Sequence, residues 1–388
     1  MVLCSTGRSN PSSREVRPMP TVRRSHAAVL TAAVLGVALV LGARPAAAQT
    51  SVGGVVYAQW MYTLAYDTLT RDSNITHINN FDIARAYINV NGSFAGGVKG
   101  RVTADIWRPT GGDGSLYYRL KYAYVSWTPE HSPLTFKLGQ VHTPWVDFEE
   151  ALWNYRMQGT VPMDRTGYET SSDFGAGVDG TFKADRVNFQ AGIYGGEKYS
   201  GALGDQRKDL EARASVRLVG TDDGSRVGGL RLTGYAHLGA PTTGGQRNRF
   251  IGMVSYRSND LTLAAQYGAI TDSTTGGPNA PGAAVNAVGA VAQKKATVVS
   301  AYGVYHFPST RFSVLGRVDL VNTNTADTTH MSKTTRFIAG VAYQVSPNLR
   351  LLADLDMLSY HSGYAPTAST YAAYVNRNMA YLQAMYSF

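Results

Sequence analysis

Asp354 and Asp356 stand two apart in "LLADLDMLSY". In an extended segment that spacing puts both carboxylates on one face, where two acids suit an acid/base pair or a Ca²⁺ site. Arg350 shares the face, which makes a structural ion network the stronger reading. His77, His131, His142, His237, His306, His330 and His361 are scattered, most of them in predicted loops or turns. None shows HExxH or paired metal-ligand spacing. No GxSxG, Walker or Gly-rich dinucleotide motif occurs, and "GGVKG" and "GDGS" read as turns. The sequence therefore marks no catalytic residue and implies no cofactor or metal.

Charge at alternate positions is the chemistry that recurs. Arg85, Lys99, Arg101, Arg119, Lys121, Lys137, Arg213, Arg217, Arg231, Arg249, Arg257, Arg317, Arg336, Arg350 and Arg377 all fall on the polar phase of extended segments. Asp105, Asp179, Asp209, Glu211, Asp319, Asp354 and Asp356 share that phase and are about half as many. Strips of Arg and Lys exclude cations and concentrate anions. Arg85, Lys99, Arg101, Arg119 and Lys121 come from three consecutive segments and can form one basic strip, with Arg213 and Arg217 further along the chain. Some of these cations are expected only to brace a wall: Arg213 beside Asp209 and Glu211, and Arg317 beside Asp319.

The elements that carry these charges are strands. In "DLEARASVRLVG", Leu210, Ala212, Ala214, Val216 and Leu218 separate completely from Asp209, Glu211, Arg213, Ser215 and Arg217. A helix would mix the two sets. "VKGRVTADIW" and "GGLRLTGYAHLG" repeat the pattern. About sixteen such segments begin near residues 52, 81, 97, 117, 134, 174, 187, 209, 228, 249, 261, 295, 311, 334, 349 and 374. Short turns follow the even-numbered ones and long polar or Gly-rich loops the odd-numbered ones. The apolar face carries no charge in segment after segment, with Asp82 the nearest exception. That argues against a soluble sandwich or propeller. The fold expected is all-β: a transmembrane antiparallel β-barrel of about 16 strands, with short periplasmic turns and long external loops.

The N-terminus agrees. "TVRRSHAAVLTAAVLGVALVLGARPAAAQT" has a basic start, an apolar run and a small-residue cleavage site, so 1–48 reads as a signal peptide and 49–388 as the barrel. Met19 stands just before this pattern as a second candidate start. Cys4, the one cysteine, leaves with the leader, so the mature chain has no disulfide or thiolate chemistry. Removing the leader's six arginines and one glutamate from 36 basic and 27 acidic residues leaves a net charge of +4. That is too mild to indicate nucleic-acid binding.

At the other end, Ala380, Leu382, Ala384, Tyr386 and Phe388 fall on the lipid phase of the last segment. An interfacial aromatic terminus suits a barrel's girdle. The connection 142–173, "HTPWVDFEEALWNYRMQGTVPMDRTGYETSSD", shows no strand pattern. A structureless stretch of that length is functional or a wrong assignment. It carries Asp147, Glu149, Glu150, Asp164, Glu169 and Asp173 against Arg156 and Arg165. One reading folds it into the barrel as an acidic constriction facing the basic strip, and the other makes "DFEEALWNYR" a short surface helix.

At "FDIARAYINVNGSF" and "LTFKLGQVHTPWVDFEEALW" the chain resembles the phosphate-selective porin O and P family of outer-membrane barrels. Phe81-Asp82-Ile83, Arg85, Gly139-Gln140, Pro144-Trp145 and Glu149 carry the likeness, over roughly the first third of the chain. The resemblance implies a bacterial outer-membrane homotrimer. Small hydrophilic or anionic solutes, phosphate among them, would pass its basic strip. A constriction loop would fold inward after the fifth strand. Tyr386 and Phe388 look like the signal read by the barrel-assembly machinery. A net acidic loop and a missing N-terminal extension depart from the family. The expectation is therefore a porin with weak anion preference, embedded in outer-membrane lipid. The alternatives are a phosphate- or polyphosphate-selective channel, a barrel enzyme, or a plugged structural barrel. Outward alanines (Ala84, Ala86, Ala104, Ala212, Ala214) are candidates for a subunit contact.

Overall fold

The computed structural model describes residues 49–66, 78–109, 114–201, 206–241, 245–275, 291–326, 332–361 and 377–388. The expected signal peptide, with Cys4 and Met19, lies outside them, as do His77 and His330. Sixteen strands follow in chain order: β1 (Gln49–Tyr66), β2 (Asn79–Ser93), β3 (Val98–Trp107), β4 (Tyr117–Trp127), β5 (Leu134–His142), β6 (Ser172–Phe182), β7 (Val187–Tyr194), β8 (Asp209–Val219), β9 (Gly229–Gly239), β10 (Arg247–Arg257), β11 (Leu261–Thr275), β12 (Val291–His306), β13 (Phe312–Asn322), β14 (Lys333–Ser346), β15 (Leu349–Tyr360) and β16 (Arg377–Ser387). Each pairs antiparallel with its chain neighbours, and β1 pairs with β16 to close the barrel. All sixteen expected strands are present, none starting more than four residues from its expected place.

Burial is inverted relative to a water-soluble sheet. Along β8 the buried residues are Asp209, Glu211, Arg213 and Ser215, while the alternate residues are exposed. Arg213 is 4 % exposed and Leu210 51 %. The apolar phase therefore faces outward and the charged phase inward, as a barrel in hydrocarbon requires. Closure leaves no open edge. At the seam, Gly54 N–H donates to Phe388 O at 2.9 Å and Phe388 N–H to Gly54 O at 3.1 Å. The Phe388 ring lies over Gly54, where a Cβ would come within 2.5 Å of it, and stacks on Tyr386 at 6.1 Å between centroids.

Two bulges change which residues face inward. Between Tyr57 and Ala58 the β1–β2 register slips, so Tyr57 opposes Arg85 while Ala58 opposes Ile83. Asp82 then stands opposite Gln59 and pairs with Arg108 at 2.7 Å. Ala84, expected among the outward alanines, packs against the inner cluster instead. A second slip lies between Thr103 and Ala104 on β3, where β4 fits Lys121 and Tyr122 together on the buried side. An inserted residue puts two successive side chains on one face. Pattern reading alone cannot place such an insertion.

Candidate functional site

The interior is organised by the segment between β5 and β6. Three residues build its exit from the wall. Gly139 adopts φ +126°, and a Cβ there would lie 2.4 Å from Ala123 O, so only glycine fits. The Gln140 carboxamide donates to the carbonyls of Leu120 (2.7 Å) and Lys121 (2.8 Å) at the β4 bulge. Those carbonyls lie beyond the β4–β5 ladder, which pairs only Ala123 to Trp127 of β4. Pro144 then opens helix α1 (Pro144–Leu152), where its fixed φ suits the first turn and its missing N–H loses nothing. The Thr143 hydroxyl donates to Thr170 O and ties the two ends of the segment together. A one-turn helix, α2 (Pro162–Arg165), follows.

The apolar face of α1 packs on the inner wall. Trp145 meets Tyr235 at 5.6 Å between centroids, and Trp153, just past the helix, meets Tyr302 edge-on at 5.2 Å. Phe148 lies under the Arg213 guanidinium at 4.4 Å. Trp145, Phe148, Leu152, Trp153 and Tyr155 are fully buried. The non-helical backbone beyond Leu152 must find other donors for its carbonyls, and inward side chains supply them. Arg350 donates to Asn154 O (3.2 Å), Gln383 to Met157 O (2.9 Å), Arg317 to Thr160 O (2.9 Å) and Arg249 to Tyr168 O (3.1 Å). Arg257 donates to Ala151 O at the end of α1 (2.5 Å). The segment thus bonds to inward-phase side chains of β10, β13, β15 and β16. This carbonyl-clamping role of the arginines has no signal in the sequence.

Asp105, fully buried, takes both Arg85 (2.8 Å) and Arg119 (2.9 Å), so these two cations share one negative charge. Arg101 donates to Asn89 (2.8 Å) and Thr103 (3.0 Å). Lys121 is 4 % exposed, donates to the Tyr87 hydroxyl at 3.3 Å, and sits 4.6 Å from the centre of that ring. Among the described residues neither Arg101 nor Lys121 has a carboxylate within ion-pair distance. Lys99 is exposed near the start of β3. Arg213 bonds to Asn188 (2.8 Å), not to Asp209 or Glu211. Arg217 donates to Ala184 O in the β6–β7 turn (2.5 Å). Arg317 pairs with Asp319 at 2.8 Å as expected. Arg350 does not join Asp354 and Asp356: Asp356 pairs with Arg336 (2.6 Å), and Arg350 bonds to Gln344 (2.8 Å).

The segment's acids separate into different surroundings. Asp147 pairs with Arg226 at 2.7 Å, which holds its carboxyl well below the usual range although burial pushes the other way. Glu150 pairs with Arg156 at 2.9 Å. Asp164 accepts from the Thr160 hydroxyl beside α2. Glu149 accepts from Trp145 Nε1 (2.9 Å) and Gln266 Nε2 (2.6 Å) and has no ion pair among the described residues. Burial pushes its carboxyl up to about 8. Glu169 bonds to His237 at 3.0 Å, with Arg249 at 3.8 Å.

Two polar cavities flank the segment. One of about 390 Å³ brings Arg101 and Lys121 together with Asn89, Tyr122, Asp147 and Glu150. The other, about 550 Å³, is bounded by Glu169, Glu211, His237 and neighbours from β8 to β11. The first joins part of the expected strip to part of the acidic loop. Arg85, Arg119, Lys99, Arg213 and Arg217 stand outside it.

No family model matches the sequence, and no curated protein does. Solved structures match the fold. Salmonella typhi OmpF aligns at TM-score 0.60 and 12 % identity, covering 87 % of this chain and 97 % of its own. The anion-selective porin of Comamonas acidovorans aligns at 0.59 and 11 %, covering 88 % and 100 %. The outer-membrane channel DcaP of Acinetobacter baumannii aligns at 0.59 and 13 %, covering 88 % and 97 %. The fold is therefore the sixteen-stranded barrel of the outer-membrane porins and channels.

Proposed function

We propose that the chain is an outer-membrane porin through which small hydrophilic solutes diffuse passively, with an anion preference set beside Arg101 and Lys121. The observation that carries the preference is the burial of Lys121 in a polar cavity with no carboxylate partner among the described residues. A desolvated ammonium bonded only to a phenol attracts an anion strongly. Asp147 and Glu150 line the same cavity but are each neutralised by an arginine. In this reading residues 1–48 direct export, the short turns face the periplasm, and the segment 142–173 is the constriction. Tyr386 and Phe388 engage the assembly machinery, and the barrel works as a homotrimer.

The test is the reversal potential of the purified protein in planar bilayers under a salt gradient. The wild type should favour chloride over potassium, and Lys121→Met with Arg101→Gln should move the potential toward the cation side. A cation-selective wild type, or a selectivity unmoved by the double substitution, overturns the assignment. Phosphate selectivity is the narrower form, supported by the resemblance at Gly139-Gln140 and Pro144-Trp145. It requires that micromolar phosphate block chloride current and that the block vanish in Lys121→Met.

A further inference from the structure

We propose that Glu169, Glu211 and His237 form a binding site for a divalent transition-metal cation of the Zn²⁺ class, joining the inward segment to the wall. One ligand atom from each lies within 4.8 Å of the other two, and all three residues are buried. Glu169 comes from the segment, Glu211 from β8 and His237 from β9. Imidazole with two carboxylates is a donor set suited to Zn²⁺, with a coordination position left for water from the cavity.

Two independent observations favour a cation there over a closed ion network. Glu211 is 5 % exposed, yet no cationic side chain lies within ion-pair distance among the described residues. Its Oε2 accepts from the Tyr235 hydroxyl at 2.9 Å. A buried carboxylate beside a second carboxylate requires a cation or a proton. The cavity's charge points the same way: six carboxylates line it against three lysine or arginine side chains and His237. Two of those cations are already paired with carboxylates of the cavity, Arg247 with Asp209 (2.8 Å) and Arg249 with Asp272 (2.7 Å), and Arg249 also lies 3.8 Å from Glu169.

The histidine is held between two carboxylates. Its Nε2 meets Asp209 Oδ2 at 2.8 Å and its Nδ1 meets Glu169 Oε1 at 3.0 Å. Asp209 on Nε2 fixes the tautomer in which Nδ1, bonded to Glu169 in this structure, is the atom a metal would take. The cation would take the place of the Nδ1 proton, which leaves to solvent. It would draw Glu169 and Glu211 together and pin the end of the segment to β8 and β9.

Zn²⁺ binding to the full chain, folded in detergent and cleared of metal with EDTA, tests the site by calorimetry. Folding is confirmed by heat-dependent gel migration. One Zn²⁺ per chain is expected. Glu211→Gln keeps the His237–Glu169 bridge and should weaken binding at least ~10-fold, and Asp209→Asn, one step removed, by about 10- to 100-fold. His237→Gln should abolish it, whereas His131→Ala, on an exposed turn, should leave it unchanged. No stoichiometric binding by the wild type overturns the site. So does affinity unchanged in Glu211→Gln, which decides the matter even where His237→Gln does not fold. Binding is read without current, so its failure and the failure of the porin assignment are separate results.

Discussion

Replacing Glu149 by glutamine isolates one proton that fastens the segment to the wall. The carboxyl is fully buried, accepts from Trp145 and Gln266, and is pushed up to about 8 from an ordinary 4.5. Arg317, Asp319 and Tyr302 are the charged and titratable neighbours that face it from the wall. A segment lifted off the wall exposes the carboxyl to water and returns it to about 4.5. The docked state therefore holds the proton over a range where the undocked state has lost it. Docking is strongest at low pH, weakens as pH rises past 4.5, and reaches its floor above 8. The shift corresponds to roughly 5 kcal/mol in all, of which roughly 2–3 kcal/mol falls between pH 6 and 9.5. That is on the order of a hundredfold rise in the undocked fraction.

Glutamine keeps the shape and loses the titration. Its N–H₂ can donate to Gln266 Oε1, which is buried without a partner among the described residues, once the two amides are suitably turned. Hydrogen exchange of the 144–168 amides should accelerate in the wild type between pH 6 and 9.5, beyond the intrinsic rise in chemical exchange, and Glu149→Gln should remove that excess. Trp145 and Trp153 give a parallel fluorescence readout. An excess that persists in Glu149→Gln, or is absent from the wild type, would refute the reasoning.

Gly139→Ala must move Ala123 O or abandon φ +126°. It should destabilise the β4–β5 junction by about 1–3 kcal/mol, seen as a lower heat-shift temperature on gels. Phe388→Ala and Gly54→Ala attack one seam contact from opposite sides. Both should slow formation of the heat-modifiable folded band, and a normal rate in Gly54→Ala would show that the ring has room to move. Asp105→Asn frees Arg85 and Arg119 from their shared carboxylate. It should raise anion selectivity in the bilayer assay, and an unmoved reversal potential would show that these two arginines lie off the ion path.

Alternation along the chain was enough to determine the barrel. Strands such as β8 separate apolar from charged residues, and the solvents on the two sides of the wall differ so much that the apolar phase must face outward. The terminal Phe388 belongs to the same pattern. What alternation could not reveal is register. Bulges on β2 and β4 insert one residue, turning Ala84 inward and burying Lys121 beside Tyr122, and no local sequence signal marks where a ladder slips. The pairing of charges was equally hidden. Arg350 clamps the Asn154 carbonyl, Arg85 and Arg119 converge on Asp105, and Lys121 keeps no counter-ion among the described residues. Strand phase says that a side chain faces inward. Which group it meets across the lumen depends on barrel closure and on a 142–173 segment whose path is set by contacts far apart in the chain.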